Sequence, residues 1–318
     1  MWEIHSPMNP SAAVVCIGEI LWDVLPAGRQ PGGAPFNAAV YLHQLGLPTQ
    51  LVSRIGDDEL GRELLAVSTQ RGLNPNLIQR SKTHLTGVVK ANVRSGHEVL
   101  YKVVEPVAWD YLRYTAEAVA AVSEAQVVVY GSLVARSATA RETLYRLLQH
   151  ALFRVFDVNL RPPHYSREVV KYLLRQATLV KLNSQELAEI MGWLGQPATE
   201  ATALPWLAGR FNLQAICVTK GADGATLWTD SQFFHCPSFD EGAPLTIGSG
   251  DAFLAALVAS QLQGRAPDDC LRRACAAAAL VARQATVLPT LTNQAIDALV
   301  DSFADSHFTK STGSLPAR

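Results

Sequence analysis

The 318-residue sequence has no run of eighteen apolar residues, the length a helix needs to cross a bilayer. The stretch from Met1 to Ser11 shows no charged start followed by a long apolar segment. A soluble, cytoplasmic protein is therefore expected, with no membrane partner. Basic runs are also missing: 27 lysines and arginines stand against 28 acids, for a formal net charge of −1. Nucleic acid and anionic surfaces have no electrostatic footprint to bind. The five cysteines, Cys16, Cys217, Cys236, Cys270 and Cys275, form no CxxC pair and lie mostly in apolar runs, which predicts buried, reduced thiols. No internal repeat or low-complexity segment interrupts the chain.

What is present is 48% hydrophobic sequence, enough to bury the core of one large α/β domain. That domain is expected over residues 12–303, with flexible tails at 1–11 and 304–318. Ala13 to Gly18 is a short β-branched run closed by glycine, the pattern of a strand buried in a parallel sheet. Glu19 to Leu25 reads as a strand leaving the core, Pro26 to Gly33 as a loop, and Ala34 to Leu45 as a helix stopped at Gly46. A second strand spans Gln50 to Gly56 and a helix Leu60 to Gln70. Thr86 to Arg94 and Val99 to Val104 then form a hairpin around Ser95-Gly96-His97-Glu98, which has no place in a βαβ series. With the strand near Leu21 it predicts a small antiparallel sheet projecting from the main domain, inserted at about 19–31 and 84–106. From Ala116 the alternation resumes, with strands near 126–130, 152–156, 179–182 and 215–219. A hairpin around Thr229-Asp230-Ser231 follows, and then helices over 251–262, 267–284 and 292–303.

The segment Thr246-Ile247-Gly248-Ser249-Gly250-Asp251 is the chemical focus. Two glycines let the backbone approach a ligand, and the following apolar helix brings about half a positive charge to its N-terminus, so the turn can seat a phosphate. Asp251 in the first helical turn suits either a helix cap or a base beside a transferring phosphoryl group.

The order of motifs resembles that of the PfkB, or ribokinase-like, family of carbohydrate kinases. It runs through Gly18-Glu19-Ile20-Leu21-Trp22-Asp23, Gly32-Gly33-Ala34-Pro35-Phe36-Asn37, Arg54-Ile55-Gly56-Asp57-Asp58 with Gly61, and Asp157-Val158-Asn159-Leu160-Arg161. Lys181-Leu182-Asn183-Ser184-Gln185-Glu186, Val218 to Ala225 and Gly248 to Asp251 complete the series. The form of the second motif is similar to that of fructokinases. The resemblance implies a three-layer α/β/α domain with a mainly parallel sheet and a small β-sheet lid, and ATP-dependent transfer of a phosphoryl group to a sugar hydroxyl.

Residue by residue, the same resemblance implies Asp251 as the base, with Gly248, Ser249 and Gly250 holding the charge on the phosphoryl group. It implies sugar binding by Asp23, Gly32, Gly33, Asn37 and Arg161, with Asp157 and Asn159 bracing the strand end that carries Arg161. ATP is expected against Asn183, Thr219, Lys220, Gly221, Gly224, Gly248 and Gly250. Mg²⁺ is expected near Asn183 and Glu186 through water. Read alone, Asn183 and Glu186 also suit a helix N-terminus, and Thr219 to Gly224 an ordinary β-turn. Trp22 can stack on a sugar or pack the lid, and apolar lid residues such as Ile20, Trp22, Val88 and Val103 suggest a homodimer. The chain departs from the family pattern at Leu245, where relatives carry an acid six positions before the base. This argues against dependence on a monovalent cation. Fructose or a related ketose is the expected substrate. The alternatives are another sugar, a sugar acid or a nucleoside, or a non-catalytic binder that kept the fold.

Overall fold

The computed structural model describes residues 13–25, 28–93, 99–239, 248–284 and 288–308. Strand β1 (Val14–Ile17) leads through Gly18 to β2 (Leu21–Leu25), β3 (Gly28–Gly32) and helix α1 (Ala34–Gln44). Next come β4 (Thr49–Gly56), α2 (Glu59–Gln70), β5 (Ile78–Ser81), β6 (Gly87–Val93) and β7 (Val99–Val103). Helices and strands then alternate through α3 (Ala116–Glu124), β8 (Val127–Gly131), α4 (Ala138–Leu148), β9 (Phe153–Asp157), α5 (Arg167–Gln176) and β10 (Leu179–Asn183). Two helices, α6 (Ser184–Trp193) and α7 (Glu200–Phe211), precede β11 (Ala215–Thr219) and the hairpin of β12 (Ala225–Thr229) and β13 (Gln232–Cys236). The chain closes with α8 (Ser249–Leu262), α9 (Pro267–Ala282) and α10 (Asn293–Phe308).

Nine strands form the main sheet in the order β13-β12-β11-β10-β9-β8-β1-β4-β5, parallel from β11 to β5 with an antiparallel hairpin at one edge. β1 sits between β8 and β4 with all four side chains buried, as a β-branched run without polar alternation requires. Its residues divide between the two faces. Val14 and Cys16 join the core packed under α1, α8 and α9, while Val15 and Ile17 join the core under α3 to α7. The hairpin between β12 and β13 turns through Asp230 and Ser231, both with positive φ, the backbone that a two-residue turn matched to strand twist needs. Helix α8 is buried on nearly every side, which follows from a sequence apolar all round and from packing against both α1 and α9.

The lid is a four-stranded sheet in the order β3-β2-β6-β7 with its own small core of Leu21, Val89, Val103, Val107, Trp109 and Leu133. Its outer pairs are antiparallel, but β2 and β6 run parallel, because each enters the lid from the main sheet in the same sense. Two expectations change, and one strand, β5, has no counterpart among the strands expected from the sequence. The Pro26 to Gly33 loop is a strand over Gly28–Gly32, pairing with β2 although Gly-Arg-Gln-Pro-Gly carries no β signal of its own. β5, likewise polar, gains its strand geometry from β4. Helix α10 continues to Phe308, past the expected boundary at 303.

The lid residues expected to be exposed are mostly covered: Ile20, Trp22 and Val103 are buried and Val88 is partly so. Trp22 donates from Nε1 to the Leu60 carbonyl at 3.0 Å and lies under the Arg29 guanidinium, so it packs the lid onto α2 instead of facing the cleft. All five cysteines are buried, and none of them is in a disulfide. Among the described residues no helix is long and apolar enough to cross a membrane. The 94–98 turn and Leu245 lie outside the described residues.

Candidate active site

Parallel strands carry their chain in one direction, so the carboxyl ends of β1, β9, β10 and β11 open on the same edge of the sheet. There, under the lid and against the N-terminus of α8, lies a cleft of about 1240 Å³. Of the residues singled out in the sequence, Asp23, Gly33, Asn37, Arg161, Asn183, Glu186, Thr219, Lys220, Gly221, Gly224, Gly248, Ser249, Gly250 and Asp251 line it. Gly32 is set back. A Cβ there would fall on the Asp23 carboxylate, so Gly32 acts on the cleft by leaving Asp23 its room.

Asp251 stands in the first turn of α8, after Gly248 takes a left-handed backbone (φ 95°) that favours glycine. Asn37, one turn into α1, donates from Nδ2 to Asp251 Oδ2 at 2.8 Å. This bond ties the two helices across 214 residues of sequence. It also corrects the surface position that helical periodicity alone would give Asn37, which is buried. Burial first, and then the Asp157 carboxylate, push Asp251 up to about 6 against the pull of Asn37, Lys181 and Arg161. The group is thus a stronger base than a free aspartate, while still ionised at neutral pH.

On β9 and β10, Asp157 accepts a hydrogen bond from Lys181 Nζ at 3.0 Å. Asp157 therefore ties the end of β9 to β10 through Lys181. Burial works against the lysine's charge, but Asp157, Glu186 and Asp251 outweigh it and hold the ammonium above its usual range. A Cβ on Gly250 would lie 3.4 Å from Lys181 Nζ, so this cation flanks the glycine turn. Asn159 bends the chain with φ 38°, and its carbonyl accepts from Ser132 Oγ, leaving the exposed Arg161 at the cleft mouth.

Asn183 and Glu186 form a reciprocal cap at the start of α6. Asn183 Oδ1 accepts from the Glu186 N–H, and Glu186 Oε2 accepts from the Asn183 N–H, each at 2.8 Å. Glu186 Oε1 also accepts from the Leu160 N–H. Each carboxylate oxygen keeps a lone pair for a water. Among the described residues no three or more His, Cys, Asp and Glu side chains cluster to hold a metal directly. The donor set fits a hydrated Mg²⁺ shared with phosphates, since that ion keeps most of its waters. Lys220 donates to Thr226 Oγ1 at 2.8 Å and pairs with Glu200, and Gly224 packs so tightly on the Cys236–Pro237 backbone that no side chain fits.

Sequence reasoning passed over Lys181 and Glu19. The first was visible as a lone lysine in the apolar strand Leu-Val-Lys-Leu-Asn, and the second as an acid just past the glycine that ends the central strand. Asp23, on the lid, is pushed up to about 6 by burial, with Arg161 opposing.

The sequence profile of the pfkB family carbohydrate kinases matches residues 16–292. A fructokinase of Klebsiella pneumoniae is 29% identical over 298 residues, covering 86% of this chain and 95% of its own. The crystal structure of a fructokinase with bound ATP from Xylella fastidiosa superposes with a TM-score of 0.82 at 23% identity, covering 92% and 98% of the two chains. A fructokinase double mutant from Vibrio cholerae O395, in a form binding fructose, ADP and potassium ion, gives 0.78 at 22% identity over 92% and 100%. At these identities the two structures establish a common fold. The profile match spans most of the chain, including both sides of the cleft, and on it the chain belongs to the pfkB family of carbohydrate kinases, which are ATP-dependent sugar kinases.

Proposed function

We propose that the protein transfers the γ-phosphoryl group of ATP to a hydroxyl of fructose or a closely related ketose. The observation that carries this reading is the Asn37–Asp251 hydrogen bond, which fixes one carboxylate where the lid side of the cleft meets the glycine turn. Asp251 takes the proton of the attacking hydroxyl, and Asn37 orients it. The N–H groups of Gly248, Ser249 and Gly250 at the head of α8, with the Lys181 ammonium beside them, face the charge that collects on the transferring phosphoryl group. Asp23, Gly33, Asn37 and Arg161 hold the sugar, Gly32 giving Asp23 its space. The nucleotide lies along Thr219, Lys220, Gly221 and Gly224, with Asn183 at its phosphate end. Mg²⁺, when bound with ATP, offsets charge on the phosphates, and Asn183 and Glu186 hold its water shell. The fructokinases among the relatives support the ketose, as does the hydroxyl-seeking character of Asp23 and Asn37.

The test is ADP release with Mg²⁺–ATP against D-fructose, aldoses, sugar acids and nucleosides, with Asp251→Asn beside the wild type and potassium exchanged for choline. Turnover on D-fructose that Asp251→Asn abolishes is the expected result, and no potassium dependence is expected from Leu245. Turnover confined to an aldose, an acid or a nucleoside replaces the ketose assignment. We further propose pairing of two copies through the lid, on the narrower ground that Val24 on β2 is 38% exposed. A monomer by light scattering removes that part.

A further inference from the structure

Glu19 follows the glycine that closes β1 and lines the cleft beside Asp23, Gly33 and Asn37. Only 3% of it is exposed, and its Oε2 has no hydrogen-bond partner among the described residues, although the backbone N–H groups of Glu19 and Ala34 steady the carboxyl. A buried acceptor left unmatched destabilises a fold, and such a group persists where a ligand completes it. The reaction proposed above gives Glu19 no task.

We propose that Glu19 is a second sugar-binding carboxylate, which together with Asp23 accepts hydrogen bonds from two hydroxyls and restricts the substrate to uncharged polyhydroxylated sugars. This rests on the sugar-kinase reading and narrows it. Glu19, Asp23 and Asp251 all face this end of the cleft, and Arg161 is the cation that acts on all three. Lys181 is already engaged by Asp157. A sugar bearing its own carboxylate or phosphate meets three acids there, whereas hydroxyl hydrogens meet open lone pairs. Burial holds Glu19 at about 7 and Asp23 at about 6, the direction expected for acids that await donors.

The experiment measures kcat and KM for wild type and Glu19→Gln on D-fructose, on its mono-deoxy analogues, and on 2-keto-3-deoxygluconate as the anionic probe, with ATP affinity and Tm as controls. The expected result is a KM for D-fructose raised at least about tenfold with kcat within about threefold, as loss of one charge-assisted hydrogen bond predicts. That penalty disappears on the one deoxy analogue that lacks the hydroxyl facing Glu19, and the anion is a poor substrate for wild type. A Glu19→Gln variant within twofold of wild type on D-fructose overturns the assignment, as does a loss equal on every analogue. Wild type preferring the anionic sugar overturns it too, while leaving the kinase intact. Wild type that turns over no sugar shows instead that the parent reading has failed. Should Glu19→Gln not fold, Glu19→Asp, which keeps the charge but shortens its reach, is read on the same analogues with the same criteria.

Discussion

The two sides of the cleft are built on opposite principles. On the side proposed for the nucleotide the polar groups are already matched: Glu186 and Asn183 cap each other, Lys181 holds Asp157 and Lys220 holds Thr226. On the side proposed for the sugar, Glu19 Oε2 and Asn37 Oδ1 are buried without partners among the described residues, and burial raises Asp23 and Glu19 above the usual carboxylate range. A seat formed by backbone N–H groups and satisfied side chains is ready for a phosphate, whose charge is the same for every nucleotide. A seat of unmatched acceptors is completed by the pattern of hydroxyls on one ligand, and that is where selectivity arises.

Asp251 sits on the seam between the two, and removing its charge is the strongest test of the contrast. Asp251→Asn is expected to lower kcat by about 10²–10⁴-fold while leaving ATP affinity nearly unchanged. The same change is expected to raise Tm at neutral pH. Asp251 is pushed from about 3.8 up to about 6, so the folded state binds the proton more tightly than the unfolded chain. The penalty for carrying the charge is therefore full above pH 6 and fades as pH falls towards 4. A fall in Tm for the asparagine variant at pH 7.5, read by calorimetry, would show that burial does not burden this group.

Gly32→Ala addresses the sugar side alone. The new methyl would displace the Asp23 carboxylate, and the KM for sugar is expected to rise roughly tenfold or more with the KM for ATP unchanged. Equal changes in both constants would mean that the lid moves as a body and that the two sides are not separable.

The pH profile sharpens the same division. Glu19 titrates at about 7 and Asp251 and Asp23 at about 6, so kcat/KM is expected to begin falling below pH 7 and to fall more steeply than about tenfold per unit below 6, because three ionised carboxylates are required. In Asp23→Asn the fall should lose one proton from its slope. A profile flat down to pH 5 would refute all three assignments.

The smallest expected effects lie outside the reacting groups. Asn183→Ala removes the cap of α6 and is expected to cost about 1 kcal/mol in chemical denaturation, with a modest rise in the KM for Mg²⁺–ATP because the same side chain lines the proposed phosphate end of the cleft. Trp22→Phe loses one hydrogen bond between lid and α2, worth about 0.5–1.5 kcal/mol, and should leave the KM for sugar intact because Trp22 does not line the cleft. A large rise in that KM would make lid closure part of sugar binding.

The sequence carried the frame of the molecule because its signals were local. Ala13 to Gly18 announced a central strand through β-branched residues ended by glycine, and Gly248 to Asp251 announced a helix start able to face an anion. The order of such motifs also brought the candidate residues onto one list. β3 and β5 were not legible, since Gly-Arg-Gln-Pro-Gly and Ile-Gln-Arg-Ser become strands only through the hydrogen bonds that β2 and β4 offer them. Glu19 and Lys181 were hidden for a related reason: a charged residue in a strand, or at the end of one, has no defined environment until the neighbouring elements are in place.

By itself, then, the sequence determined the alternation of strands and helices, the lid insertions and the residue types of the cleft, all written in spacing and backbone preference. Only the tertiary structure decided that Asn37 meets Asp251, that Lys181 answers Asp157, that Trp22 packs and does not stack, and that Glu19 Oε2 is left unmatched among the described residues. Those outcomes depend on burial and on contacts between residues far apart in the chain. Both set protonation and hydrogen bonding, and neither is encoded in any single stretch of it.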